Sequence, residues 1–405
     1  MKKLLLSLAG LTLSASVFAS GGSPASDPID DFANSWTGKT LRLQSQIDRH
    51  SPISSNNILG SHNSYNSSEY ANDGYLRYVD PQQKHTLKEQ LRLGARFLEL
   101  DVHWTLNASN WRYHLMLCHG QDNHLGCSLN DKFLTQGLQE VREWLQSSES
   151  DDQVLILYIE DHSENNHSAM YSQLNDKIGS WVYRSNGCKA IPSNLSKDDV
   201  LNAGKKVLIW KDGRSNAANC SANGNLENMV FTGLGDIDRI WEDRTVIGNL
   251  FGGDRDSIEA SDVSNFFTLG RNIVNLDDMT HNDGRNAAAI WSWNTNEPNN
   301  AGNEDCALQL NNGRWADVGC GDNRIHPFAC TQLGTNNWSI SAVNGKHSSG
   351  ASACAALGAN WKFAVPTNAK YNKIIRDAAN AAGADRVWLN INDQASEGNW
   401  VTPEL

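Results

Sequence analysis

Several features are scarce or missing in this 405-residue chain. Basic residues are in deficit, 34 Lys and Arg against 46 Asp and Glu, for a formal net charge of −12. A nucleic-acid protein would carry a basic stripe, and docking on anionic lipid by charge would need the opposite sign. No CxxC pair occurs, which removes the usual zinc spacing. Beyond the first twenty residues no apolar run is long enough to cross a membrane. No low-complexity tract suggests disorder. Charged residues make up only 20% of the chain, so Asn, Ser and Gly carry the polar balance. The length predicts two domains.

The start of the chain is informative. Met1-Lys2-Lys3 precedes an apolar run from Leu4 to Phe18, closed by Ala19 and Ser20. This pattern predicts a signal peptide over residues 1–19, cut after Ala19, and a secreted or periplasmic protein. Ser7, Gly10, Thr12, Ser14 and Ser16 make the run a poor membrane anchor. An oxidising compartment and an even count of 8 Cys predict disulfides. Short-range pairing gives Cys118–Cys127 and Cys188–Cys220. It leaves Cys306, Cys320, Cys330 and Cys354 open.

Strand-length apolar runs recur at Asn57–Leu59, Phe97–Val102, His114–Cys118, Val154–Ile159, Lys206–Trp210, Met229–Thr232 and Asn272–Leu276. Helical patterns such as Thr86–Leu93 and Phe133–Leu145 lie between them. The alternation predicts an α/β fold, and about 250 residues suit an eight-stranded parallel barrel. Near residue 282 the rhythm stops and Trp, Asn and Gly become dense. This change divides the chain into domains at 20–282 and 283–405.

The expected strand ends carry chemistry. The first runs into Ser61-His62-Asn63-Ser64-Tyr65, the second contains Glu99-Leu100-Asp101, the third ends in Cys118-His119-Gly120 and the fourth in Glu160-Asp161-His162. Period-two alternation puts Glu99 and Asp101 on one face. A barrel gathers such ends at one mouth. Amide and carboxylate oxygens there suit a hard cation, and two His suit general base and acid work. Each residue alone also has a plain structural reading, including a Glu99 or Asp101 pairing with Arg96.

These stretches, with Gly94-Ala95-Arg96-Phe97-Leu98, resemble the phosphatidylinositol-specific phospholipase C family. The likeness covers roughly residues 50–280 and is strongest to its calcium-dependent, eukaryotic-type catalytic core. It implies a TIM-like (β/α)8 barrel that cleaves a phospholipid at a membrane surface, yielding diacylglycerol and a cyclic inositol phosphate. By position, His62 matches the general base and His119 the general acid. Asn63, Glu99, Asp101 and Glu160 match the Ca²⁺ ligands, with Mg²⁺ as the alternative ion. Asp277 is expected to hold His62 or the substrate, with Asp278 as its competitor. Lys211 and Arg96 are further candidates for binding substrate. Trp210 and Asp212 stand where the family's phosphate-reading lysines fall, which disfavours polyphosphorylated headgroups. The sibling glycerophosphodiesterases usually read His-Arg-Gly and His-Asp at these places. Sphingomyelinase D-like enzymes remain an alternative, as does a glycan-binding protein with an inert barrel.

The tail carries Glu297-Pro298-Asn299, Glu304-Asp305-Cys306, Trp315-Ala316-Asp317, Cys320 and Phe328-Ala329-Cys330, then Val387-Trp388-Leu389-Asn390-Ile391-Asn392-Asp393. It resembles an α+β C-type lectin-like domain whose halves are swapped in order. A half domain followed by a truncated one is the other reading. Permutation implies the pairs Cys306–Cys320 and Cys330–Cys354. Glu297, Asn299, Glu304 and Asp317 match the family's calcium and sugar ligands, but Ala316 replaces an expected Asn. A second Ca²⁺ and a glycan ligand are therefore weaker implications. Trp291, Trp293, Trp315, Trp338, Trp361, Trp388 and Trp400 are expected to be core residues rather than a sugar platform.

Overall fold

The computed structural model describes residues 27–71, 77–78, 80–187, 189–212, 224–244, 257–321 and 324–402. The expected signal peptide and the Cys188–Cys220 pair fall outside the described residues.

The first half is organised by one sheet. Its strands are β1 (Ile58–Ser61), β2 (Phe97–Asn107), β3 (Arg112–Leu117), β4 (Lys132–Phe133), β5 (Leu155–His162), β6 (Val207–Lys211), β7 (Arg239–Trp241) and β8 (Ile273–Leu276). The order β6-β5-β2-β1-β8-β7 is parallel throughout. Beyond β6, Phe231 makes a parallel bridge to Trp210, which places the expected run Met229–Thr232 at that edge. Among the described residues no ladder joins this edge to β7. The expected barrel is therefore a mixed eight-stranded sheet with an open seam in its ladders.

One expected strand runs the other way. His114–Cys118 corresponds to β3, which pairs antiparallel with the outer part of β2, Val102 opposite Leu117. The short turn between Asn107 and Arg112 explains this. A parallel crossover needs a dozen or more residues, whereas a hairpin needs only a few. The C-terminal end of β3 still reaches the level of Asp101, whose carbonyl accepts from the Cys118 N–H at 3.3 Å.

Helices cover the sheet where the periodicity predicts them. Leu87–Arg92 starts at a capping box of Thr86 with Glu89. Leu134–Leu145 buries Leu134, Leu138, Val141 and Leu145 along one face. β1 can lie deep in the sheet because Gly60 has no side chain. A Cβ there would collide with Asn275 Oδ1 and meet Phe97 Cβ at 2.8 Å.

The second half builds two antiparallel sheets. β9 (Cys306–Leu310) lies between β10 (Trp315–Val318) and β14 (Arg386–Asn392), and β11 (Ala329–Gln332) lies between β12 (Trp338–Ile340) and β13 (Trp361–Phe363). Helices Gly350–Ala355 and Ala369–Ala381 complete this half. The disulfides Cys118–Cys127, Cys306–Cys320 and Cys330–Cys354 are formed.

The core does not break at residue 282. Trp293, Trp315 and Leu389 belong to the same contiguous cluster as Leu98 and Val274. Gln44, on helix Trp36–Ile47, donates to Ala289 O and accepts from Trp291 N. Five of the seven tail tryptophans are buried as expected; Trp338 and Trp361 are only partly covered.

Candidate active site

Parallel strands bring β1, β2, β5 and β8 to one mouth. His62 and Asn63 directly follow β1, Glu99 and Asp101 lie within β2, Glu160 lies in β5 and Asp277 follows β8. Asn63 turns the chain with φ of 41°, a left-handed conformation that Asn tolerates better than most residues. The turn carries the chain from β1 over β2, where Ser64 N–H donates to Glu99 O.

His62 is buried. Its Nδ1 lies 3.1 Å from Asp277 Oδ1, while Asp278 instead bonds Gln82 O through its backbone and faces Lys84. Burial pushes the His62 pKa down, but the bond to Asp277 and the charge of Glu99 outweigh it and leave the value raised. Burial raises the Asp277 carboxyl to about 6 against the lowering effect of His62. Behind Asp277, Glu242 accepts from Asp277 N at 2.8 Å and from Arg285 Nη1 at 2.5 Å, while Arg285 Nη2 donates to Asp277 O.

Carboxylate oxygens of Glu99, Asp101 and Glu160 lie within 4.8 Å of one another. Burial and the neighbouring charges of Glu99 and Glu160 hold the Asp101 pKa well above the usual range, against the Tyr65 hydroxyl bond at 2.7 Å. Asp101 Oδ1 is buried without a hydrogen-bond donor. Three converging carboxylates, one with an orphaned oxygen, fit a hard divalent cation. Asn63 stands beside them: its backbone N–H faces Glu99 and its Oδ1 lies 3.5 Å from the Tyr65 hydroxyl. Glu160 also accepts from His162 at 3.0 Å.

His119 follows β3 and reaches solvent. Burial of much of its surroundings, and then the nearby His62, hold its pKa below the ordinary value. The Cys118–Cys127 bridge anchors its loop.

Two expected substrate residues lie elsewhere. Lys211 is buried, with Nζ bonded to Asp161 Oδ2 at 2.8 Å and to Asp212 O. Asp161 is held well below its usual range, against burial, by His167 and Lys211. Lys211 therefore serves an internal ion pair. Arg96 sits at the opposite end of β2, bonded to Gln153 Oε1, Leu91 O and Ala95 O. Its Nε and Nη1 donate there, away from the carboxylates. In the tail, Glu297 bonds Asn299, and the Asn299 and Asn300 N–H groups donate to Asp317. Burial and then Asp317 raise Glu297 to about 7. Glu304 stands two residues before β9 and joins none of these bonds.

Sequence reasoning missed Gln82, Arg239, Glu242 and Arg285. Gln82 Oε1 accepts from Asn63 Nδ2 at 2.7 Å. Arg239 Nη2 donates to Glu99 Oε2 at 2.6 Å, and its guanidinium stacks over Tyr158 at 4.9 Å. Tyr158 itself stacks on Trp210 at 3.9 Å. The signal for Glu242 was a strand-end acid, as elsewhere, but β7 is too short to register as a strand.

The family description "Rv2075c PI-PLC-like domain" matches residues 25–229. Two curated relatives, the uncharacterized proteins MT2135 and Rv2075c of Mycobacterium tuberculosis, are each 27% identical over 404 residues, covering 89% of this chain and 80% of theirs. Among solved structures, the phosphatidylinositol-specific phospholipase C of Listeria monocytogenes is 14% identical with a TM-score of 0.40, covering 62% of this chain and 98% of its own. A calcium-dependent phosphoinositol-specific phospholipase C from Pseudomonas sp. is 15% identical with a TM-score of 0.37, covering 60% and 95% respectively.

Proposed function

This chain belongs to the family of the Rv2075c PI-PLC-like domain, and on that premise we propose that it is a secreted phosphodiesterase that cleaves the headgroup of phosphatidylinositol or a glycosylated form of it. The observation that carries the reading is His62 held by Asp277 at 3.1 Å beside the Glu99, Asp101 and Glu160 carboxylates. A proton on Nδ1 is donated to Asp277, which leaves Nε2 as a base for an attacking hydroxyl. The inositol 2-hydroxyl loses its proton to His62 and attacks phosphorus. His119 returns a proton to the departing diacylglycerol oxygen. One diester is thereby converted to a cyclic phosphate diester and an alcohol.

Glu99, Asp101, Glu160 and Asn63 would hold a Ca²⁺ or Mg²⁺ ion, which would supply charge stabilisation at the phosphoryl oxygens. Arg239, already on Glu99, adds fixed positive charge at the same wall.

An exposed apolar rim supports a lipid surface as the place of work. β2 continues from Asp101 to Asn107, about 20 Å at 3.3 Å per residue. The hairpin tip beyond it carries exposed Trp111 and Tyr113, and the His119 loop carries exposed Leu125. Trp and Tyr favour the membrane interface because one ring combines apolar and polar edges.

The tail is read as a permuted C-type lectin-like domain. The β11–β12 hairpin supports this, since its turn would join the original ends of such a fold, as does the pairing of Cys306–Cys320 and Cys330–Cys354. A second Ca²⁺ and a sugar at Glu297, Asn299 and Asp317 go with that reading.

Phosphorus NMR on the mature chain with phosphatidylinositol micelles, with calcium and with chelator, tests the proposal. A calcium-dependent cyclic inositol phosphate signal, absent in His62→Ala and His119→Ala, is expected. Turnover only of sphingolipid would move the enzyme to the sphingomyelinase D-like alternative. Turnover untouched by chelator would remove the cation from the carboxylates.

A further inference from the structure

A second large concavity lies at the other end of the sheet. It is a cleft of about 870 Å³, lined by Ser54 and Ser55 ahead of β1, Asn272 ahead of β8, and Asn336, Trp338 and Tyr371 from the tail. His62, Glu160 and Asp277 sit at the C-terminal ends of the parallel strands, so this cleft is separate from the candidate active site. Its size is that of a small-molecule site.

The two halves of the chain are pinned together along its floor. Asn368 Nδ2 donates to Ser55 O at 2.7 Å, and Ala369 N donates to Asn57 Oδ1 at 2.8 Å. On the tail side, Trp338 and Tyr371 stack with ring centroids 5.5 Å apart and an interplanar angle of 27°. The Tyr371 hydroxyl donates to Asn336 Oδ1 at 2.9 Å, which fixes the ring. Trp338 is the tail tryptophan at this cleft, and it is only partly covered.

The chemistry of the wall is neutral. Ser, Thr, Asn and Gln side chains supply donors and acceptors around the aromatic pair. The charged groups are few: His50 and Asp198 pair with each other, Arg49 also bonds Asp198 at 2.8 Å, and Lys370 lies at the edge. An anion would find little net charge. A pyranose ring would find both things it needs, an aromatic surface for its C–H face and amides and hydroxyls for its edge.

We propose that this cleft binds a neutral oligosaccharide. Binding here needs no metal, because no acidic cluster lines the wall. The site is distinct from the Glu297, Asn299 and Asp317 group, and the two make opposite predictions toward chelator.

Isothermal titration of the full chain in chelator, against hexaoses of glucose (both linkages), mannose, xylose and N-acetylglucosamine, tests this. At least one hexaose is expected to bind, with affinity falling tenfold or more in Trp338→Ala and Tyr371→Ala. Asn336→Ala, on an exposed turn, is expected to weaken binding as well. It serves as the reporter if either aromatic variant fails to fold. The proposal is overturned by no binding to any hexaose, by binding that needs calcium and is lost in Glu297→Ala, or by affinity unchanged in the cleft variants. Turnover of phosphatidylinositol is expected to persist in all three variants, so loss of the lipid activity and loss of sugar binding are read separately.

Discussion

The Nδ1 of His62 lies 3.1 Å from Asp277 Oδ1, and Asp277 is itself gripped from behind through the Glu242 and Arg285 pair. The imidazole is therefore held in one orientation, with Nε2 lying 3.4 Å from Asn63 Nδ2. Asp277→Asn is expected to lower kcat on the order of 10²–10⁴-fold. The pH profile should move as well. Asp277 holds the His62 pKa up against burial, and a base works when neutral. Removing that pull lets the neutral imidazole persist to lower pH, so the limb that reports His62 shifts to lower pH. A drop in kcat with no shift of that limb would assign Asp277 a merely structural role.

Burial, and then repulsion from Glu99 and Glu160 in the absence of a cation, push Asp101 well above its usual range. Calcium at about a hundred times its Kd should add roughly 2.7 kcal/mol of stability, read as a rise in Tm. Asp101→Asn should lose that rise while melting no lower than the wild type in chelator, because it removes a buried like charge. A wild-type Tm indifferent to Ca²⁺ and Mg²⁺ would sink the cation site.

Trp111 and Leu125 are among the most exposed large apolar side chains, at 70% and 68%. On the proposed reading these side chains would enter the lipid surface. Trp111→Ala and Leu125→Ala are expected to weaken sedimentation with zwitterionic phosphatidylcholine vesicles several-fold, while turnover of a soluble short-chain lipid below its micelle threshold stays unchanged. Equal loss on both substrates would move these residues from lipid docking to the site itself.

Lys197 Nζ and Asp48 Oδ1 form a buried ion pair at 2.6 Å beneath the sheet. Burial lifts the Asp48 pKa to about 6 despite Lys197. The folded state thus holds this proton more tightly than the unfolded chain does, and the associated stability is lost as pH rises through about 6. Lys197→Met leaves the carboxylate uncompensated, which costs about 3–5 kcal/mol when it is charged. The variant's Tm deficit should be large at pH 8 and shrink at pH 5, where Asp48 takes up a proton. A deficit of equal size at both pH values would show that lost packing, not charge, is responsible.

What could be read along the chain was local. The acids and histidines at strand ends, the helices Leu87–Arg92 and Leu134–Leu145, and the Cys118–Cys127 disulfide all lie in short stretches with their own periodicity or spacing, whereas the pairs Cys306–Cys320 and Cys330–Cys354 followed only from the lectin-like resemblance. Glu99 and Asp101 could be placed on one face because alternation along a strand is a property of the backbone.

Other features needed the third dimension. Lys211 and Arg96 are basic and stand near the right stretches, but their partners, Asp161 in one case and carbonyls at the base of β2 in the other, are chosen by packing. Gln82, Arg239 and Arg285 carry no spacing signal, since they reach the site from a loop, a three-residue strand and a helix far apart in sequence. The direction of β3 was set by the length of a turn. The continuity of the core across residue 282, and with it the cleft between the halves, exists only because distant apolar faces must cover one another. The sequence by itself determined which residues have the chemistry for phosphodiester cleavage. The tertiary structure decided which of them meet, because burial and ion pairing assign each charged side chain to the partner within reach.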